Sequence, residues 1–206
     1  LRITKAYDDP LVLFLSDNGA SAELMVRGDG HDLKAPLGSA YTYLCLGAGW
    51  STTCNTPFRM HKTWVHEGGA CTPLVAHWPK GIKARGELRR SPGHVIDVVP
   101  TILELAGVKA SIKSQPVPAA PGKSLISIFA KDDTVEREYL WWSHDGNRAI
   151  RVQDWKLVAA KDKPWELFDL AKDRAETRDL TRQFPLKVNK LEKLWLAKQN
   201  EFIKTA

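Results

Sequence analysis

No apolar run in this sequence approaches the roughly 18 to 20 residues that a membrane-spanning helix requires, and no basic-apolar-small leader pattern opens it. A chain without a membrane span is the expectation. Cysteine is scarce: Cys45, Cys54 and Cys71 are the only three, an odd and low count that implies no disulfide framework and leaves room for one pair. Methionine occurs only as Met25 and Met60, and the first residue is Leu1, so a fragment or a processed chain is expected. Charge of neither sign dominates, since 30 basic residues stand against 24 acidic ones for a net +6. Lys80, Lys83, Arg85, Arg89 and Arg90 gather in one stretch that reads as a solvated basic loop. No aromatic interleaving or recognised module accompanies them, so no nucleic-acid partner is expected. What the sequence does have is 43% hydrophobic content over 206 residues, enough for one ordinary domain or for one domain plus a small satellite.

The apolar residues are distributed in short, punctuated runs. Leu11 to Leu15 lies between Pro10 and the turn signal Asp17-Asn18-Gly19, the pattern of a strand buried on both faces, as in a parallel sheet. Leu74 to Trp78, bracketed by Pro73 and Pro79, is a second such run. Val95, Ile96, Val99, Ile102, Leu103 and Leu105 then recur at helical spacing, with Pro100 in an early turn and Gly107 at the position of a C-terminal cap. Between Gly19 and Trp64 the sequence is glycine-rich and without sustained period; Tyr41, Tyr43, Trp50 and Phe58 argue for an ordered loop there. A proline-rich connector, "SIKSQPVPAAPG", covers residues 111–122. Beyond it, "EYLWWSHDGNRAIRVQDWKLVAA" and "PWELFDL" hold β-like runs separated by Asp145-Gly146-Asn147 and Gln153-Asp154. An amphipathic helix with Val188, Leu191, Leu194, Trp195 and Phe202 on its stripe ends the chain. The expected fold is α/β: part of a mainly parallel sheet flanked by helices, followed by a small antiparallel sheet with a C-terminal helix.

Three features could carry chemistry. Open α/β sheets place ligands at the C-terminal ends of their strands. Asp17 and Asn18 stand at such an end as a hard-oxygen pair suited to Ca²⁺ or Mg²⁺, although Asp-Asn-Gly is also an ordinary turn. The block Glu67-Gly68-Gly69 leads straight into a strand, so the backbone there is expected to pass close to something; Lys62, five positions before the glutamate, is either a solvated lysine or a compact donor to a charged oxygen. His61, His66, His77 and His94 show no zinc spacing, and "GDGHD" around His31, with Asp29 and Asp32, reads as a solvated loop.

Taken in order, "LVLFLSDNGAS", "NTPFRMHKTWVHEGG", "TPLVAHWPKGI", "HVIDVVPTILELAGV" and "QDWKLVAAKDKPWELFDLAKDRAETRDL" resemble the C-terminal half of a sulfatase, specifically a bacterial-type arylsulfatase of the alkaline phosphatase superfamily. The resemblance implies that residues 1–110 belong to the C-terminal part of the sulfatase α/β catalytic domain, 111–122 to the connector and 123–206 to a small α+β subdomain. It also implies Asp17 and Asn18 as two ligands of a catalytic Ca²⁺, and Lys62 as the contact to the sulfate and its leaving oxygen. The family's nucleophile is a formylglycine made from Cys or Ser in C/S-x-P-x-R, whose hydrate attacks sulfur. Cys71-Thr72-Pro73-Leu74-Val75 ends in valine and directly follows the Glu-Gly-Gly block, so Cys71 reads as a decoy and the formylglycine is expected outside this chain. The Asp-Asp metal pair and the other basic residues of the family site are likewise expected from a missing N-terminal half. Two oxygens from a Ca²⁺ shell of about 6 to 8 hold the ion poorly, so the isolated chain is expected to be inactive.

The implied activity is hydrolysis of a sulfate ester, with a periplasmic or secreted location. The alternatives are a phosphodiesterase or phosphonate hydrolase of the same superfamily, and a non-catalytic remnant that binds anions or a partner through its C-terminal sheet.

Overall fold

The computed structural model describes residues 1–24, 32, 34–36, 38–41, 46–108, 111–112, 115–116 and 121–205. The readings that fall on Arg27 to His31, Tyr43 and Cys45 lie outside the described residues. The chain divides into two compact units, each discontinuous in sequence: Leu1–Asp17 with Pro73–Arg137, and Asn18–Thr72 with Glu138–Ala206.

In the first unit, strand β1 (Val12–Leu15) pairs with β2 (Leu74–His77), in the register Val12 to His77 through Leu15 to Leu74. The pairing is antiparallel, as is every strand pairing among the described residues. The expectation of part of a mainly parallel sheet is thus not confirmed among the described residues: a continuous apolar run calls for dry surroundings, but does not fix the direction of the neighbouring strand. Nor is β1 dry on both faces. Leu11 and Leu13 pack with Ala76 and Trp78 against a core of Leu125, Ile128, Phe129 and Val135, whereas Phe14 on the opposite face is 73% exposed. With one strand partner and one packed face, alternate side chains point outward.

A short 3₁₀ turn (Val95–Asp97) leads into the predicted helix over Val98–Leu105, and Gly107 ends it with φ +64°, the left-handed position that glycine occupies at no steric cost. The Asp97 carboxylate is fully buried. It accepts the backbone N–H of His94 and of Lys123, each at 2.8 Å, and pairs with Arg137 at 2.7 Å. Burial also pushes the His94 imidazole below its ordinary pKa, against the pull of Asp97. Helix and following loop are thereby pinned by one side chain.

The second unit carries the antiparallel sheet that the alternating pattern predicts: β5 (Leu140–His144), β6 (Asn147–Val152), β7 (Trp155–Ala159) and β8 (Glu166–Asp169), in that spatial order. A two-residue pair precedes it in the connector, β3 (Ser111–Ile112) with β4 (Gln115–Pro116). The final helix runs over Pro185–Thr205, and its Leu191 and Trp195 pack onto Ile150, Leu157 and Leu167 of one sheet face. Trp141 stacks on Trp195 at 5.6 Å between ring centroids. The other face is not open to solvent: Ala149, Val158 and Phe168 pack around Val65. The segment before and after Lys62 thus closes the second side of the sheet.

A short helix, Gly47–Asn55, lies within the stretch expected to be loop, and a second, Glu67–Ala70, follows that stretch. The first reads "GAGWSTTCN", with little intrinsic helix preference. Ser51 and Asn55 hold it in place by tertiary hydrogen bonds, described below.

Candidate functional site

Strand β1 ends at Leu15, and Asp17, Asn18 and Gly19 form the bend that follows. Asp17 is exposed, and among the described residues its carboxylate has no hydrogen bond or ion pair. Asn18 is half-buried. The next two residues are firmly held. The Gly19 N–H donates to the Gly69 carbonyl at 2.9 Å, and the Ala20 N–H donates to the Asn55 carboxamide oxygen at 2.9 Å. Ser51 donates its hydroxyl to the Ala20 carbonyl at 2.8 Å while lying 2.7 Å from His61 Nδ1.

Lys62 joins the same frame through its own backbone, whose N–H donates to the Ala20 carbonyl at 3.1 Å. Asn18 and Lys62, 44 positions apart in sequence, are therefore brought to one loop cluster. The Lys62 ammonium is partly exposed and lies 3.8 Å from the Glu23 carboxylate.

The glycines explain how the backbones come so close. A Cβ on Gly19 would overlap the carbonyl oxygen of Gly68. One on Gly68 would meet the carbonyls of Arg59 and Met60, and one on Gly69 those of Trp64 and His61. The Glu-Gly-Gly block is thus a place where backbone passes backbone, as its sequence suggests.

Behind this cluster lies a buried charged network that the sequence reading did not anticipate. Lys156 of β7 is fully buried, 2.8 Å from Glu67 Oε1 and 3.0 Å from Glu176 Oε1. Arg174 reaches Glu67 at 3.3 Å and donates to Cys71 Sγ at 3.0 Å. The Glu67 backbone N–H donates to Glu176 at 3.0 Å. Burial pushes the Glu67 carboxyl upward, but Lys156 and Arg174 outweigh it and hold the group below the usual carboxylate range. Burial and the Glu67 charge push the Cys71 thiol up, which leaves it protonated and a poor nucleophile. Cys54 and Cys71 are both free thiols. On the flank, Glu166 pairs with Arg59 and lies 3.2 Å from buried His66 Nε2; the His66 hydrogen bond and the Arg59 charge hold its carboxyl low.

The sequence signal for Lys156 was its parity with Val158 on a strand whose two faces are both covered. Among the described residues, no three His, Cys, Asp or Glu side chains converge on a point that could hold a metal.

This arrangement has clear relatives. The family profile described as Sulfatase matches residues 1–108, and the one described as N-sulphoglucosamine sulphohydrolase, C-terminal, matches residues 58–200. The chain belongs to the sulfatase family. It is 29% identical to an uncharacterized sulfatase of Schizosaccharomyces pombe over 94% of its own length and 38% of that protein's. It is 30% identical to a sulfatase of Formosa agariphila, over 72% and 31% respectively. The chain thus spans well under half the length of these curated relatives. Among solved structures, Ps i-CgsB in complex with k-i-k-neocarrahexaose matches with a TM-score of 0.68 at 23% identity, over 98% of this chain and 38% of that one. A phosphonate monoester hydrolase of Agrobacterium radiobacter matches at 0.60 and 17% identity, over 98% and 37%. At these identities the likeness is one of fold.

Proposed function

We propose that this chain supplies the C-terminal portion of a calcium-dependent sulfuric ester hydrolase, with Asp17 and Asn18 as two of the metal's oxygen ligands and Lys62 as the cation that holds the sulfate. The observation that carries the reading is the shared frame of the strand-end bend and the Lys62 turn, joined through the Ala20 carbonyl and the Gly19 to Gly69 bond. It sets Asn18 and a primary ammonium on the same loop cluster, and Asp17 is the residue next to Asn18 in the sequence. The fit to a metal rests on donor chemistry: an exposed carboxylate, without a partner among the described residues, beside a carboxamide suits a hard cation such as Ca²⁺. When bound, the ion would supply positive charge toward sulfate oxygens and complete its shell from residues outside this chain.

Within the chain, the work falls to Lys62. Its three N–H donors match a tetrahedral oxyanion, and an ammonium stabilises charge as it builds on the leaving oxygen. The Glu23 carboxylate lies 3.8 Å from that ammonium. The formylglycine nucleophile and the remaining basic residues would come from an N-terminal half, and the 206 residues alone would turn over no ester. A location outside the cytoplasm belongs to the same reading.

The test uses the product of the complete gene. Lys62→Ala is expected to lower kcat for p-nitrophenyl sulfate by about 10²-fold or more, the usual cost of losing one stabilising donor, with its melting temperature within a few degrees of wild type. Unchanged turnover would remove Lys62 from the reaction. The phosphonate hydrolase neighbour favours one second reading, hydrolysis at phosphorus; higher kcat/KM for a phenyl phosphonate ester than for p-nitrophenyl sulfate would select it.

A further inference from the structure

Among the described residues the Lys62 ammonium has one ion-pair partner, the Glu23 carboxylate at 3.8 Å. We propose that Glu23 is a specificity-determining residue: its charge makes the site select singly charged esters, such as sulfate monoesters, over phosphate monoesters, which carry close to two charges. The proposal rests on the reading above, in which Lys62 holds the anion.

The carboxylate is held in place locally. Ser21 donates its hydroxyl to Glu23 Oε2 at 3.0 Å, the same oxygen that faces Lys62, and the Ser21 hydroxyl oxygen accepts the Glu23 backbone N–H at 3.2 Å. This pair of hydrogen bonds begins one residue after Ala20, whose N–H donates to Asn55 and whose carbonyl accepts the Lys62 N–H at 3.1 Å. Both side chains thus leave one backbone junction, which limits how far their charges can drift apart. With the lysine side chain 44% exposed and the glutamate 48%, neither group is sealed, so an anion that reaches the ammonium from solvent has the carboxylate as a near neighbour.

As a brace for the fold such a pair counts for little, because exposed ion pairs contribute weakly to stability. Its effect on a third charge is different. A lone ammonium attracts a dianion more strongly than a monoanion. With a carboxylate beside it the local charge sums to zero, and a second negative charge on the ligand gains no net attraction. Near neutral pH a sulfate monoester carries one charge, whereas a phosphate monoester, with a second pKa of about 6, carries about 1.5 to 2. Phosphonate monoesters, also singly charged, fall on the favoured side. Between unit charges roughly 4 Å apart in water-like surroundings the interaction is worth about fivefold in an equilibrium constant, and salt screens it.

The test uses the product of the complete gene and two aryl probes of similar shape near pH 8: benzenesulfonate, with one charge, and phenyl phosphate, with close to two. Titration calorimetry reads their binding, so no turnover is needed. Glu23→Gln is expected to strengthen phenyl phosphate about fivefold relative to benzenesulfonate, at unchanged melting temperature. Glu23→Asp, which keeps the charge, should keep most of the wild-type preference, and about 1 M salt should erase the difference between wild type and Glu23→Gln. Equal changes for the two probes, or none, would overturn the role of Glu23. A Glu23→Asp protein indistinguishable from Glu23→Gln would overturn it as well, since charge would not be the cause. Lys62→Ala separates the two assignments: it should weaken both probes. Unchanged affinity for both, or no binding of either to the wild type, would remove Lys62 as the anion's anchor and the selection by Glu23 with it.

Discussion

The ammonium of Lys156 lies 2.8 Å from the Glu67 carboxylate, 89 positions earlier in the chain, and none of its side chain reaches solvent. This pair, with Glu176, ties the Glu-Gly-Gly block to the centre of the C-terminal sheet. Lys156→Met should therefore strand two buried carboxylates and cost about 3–5 kcal/mol, the usual penalty for breaking a buried ion pair from one side. Denaturant titration of both proteins measures it. Lys156→Met combined with Glu67→Gln should recover part of the loss, because fewer charges are then left unpaired.

Acid should loosen the second unit early. Glu67 is held low by Lys156 and Arg174 against its burial, and Glu166 by the His66 hydrogen bond and Arg59. A folded-state pKa below the unfolded value adds stability that is present above the ordinary glutamate range, about pH 4.3, and is lost as pH falls through the lowered values. The contribution of these two carboxylates is thus flat near neutrality and declines below roughly pH 5. Glu166→Gln should flatten that acid limb, which calorimetry across pH would reveal.

Gly19→Ala places a methyl group on the carbonyl oxygen of Gly68, where backbone rather than a flexible side chain must yield. The expected destabilisation is about 3 kcal/mol or more, at the upper end of overpacking, with loss of the Gly19 amide's protection in hydrogen exchange. Gly49→Ala, in open space on the helix over Gly47–Asn55, is the control and should be neutral or slightly stabilising.

Calcium should raise the melting temperature of the wild-type chain only at millimolar concentrations, because two oxygens give weak affinity and the shift follows the ratio of free ion to Kd. Asp17→Ala should abolish the shift, and Asn18→Ala should reduce it. A melting temperature indifferent to the ion in the wild type would count against the site in this chain.

The parts of this fold that were legible in the sequence are those governed by local pattern. The alternation through Leu140 to Asp169, the Asp145-Gly146 turn, the stripe on the last helix and the glycine after Leu105 all appear where they were expected. What escaped depends on pairing between distant segments. An apolar run such as Leu11 to Leu15 does not say whether its neighbour is parallel or whether both faces are covered, and here β2 is antiparallel and Phe14 points outward. The helix over Gly47–Asn55 owes its form to Ser51 and Asn55 gripping Ala20, a contact invisible to propensity. At the candidate site, residue types made Asp17, Asn18 and Lys62 visible. The supporting charges were not, because a lysine in a strand ordinarily faces water, and only the cover provided by Val65 makes that face of β7 interior.

The separation of Glu67 from Lys156 also has a temporal side. Ribosomes add about 5–20 residues per second, so the glutamate emerges several seconds before its lysine exists, and Glu176 later still. During that interval the Glu-Gly-Gly block has no counter-charge and its carboxylate stays hydrated. The charges buried behind the Lys62 loop cluster can be paired only when β7 and the segment bearing Glu176 arrive, which makes the last-made sheet the clasp on an earlier-made loop.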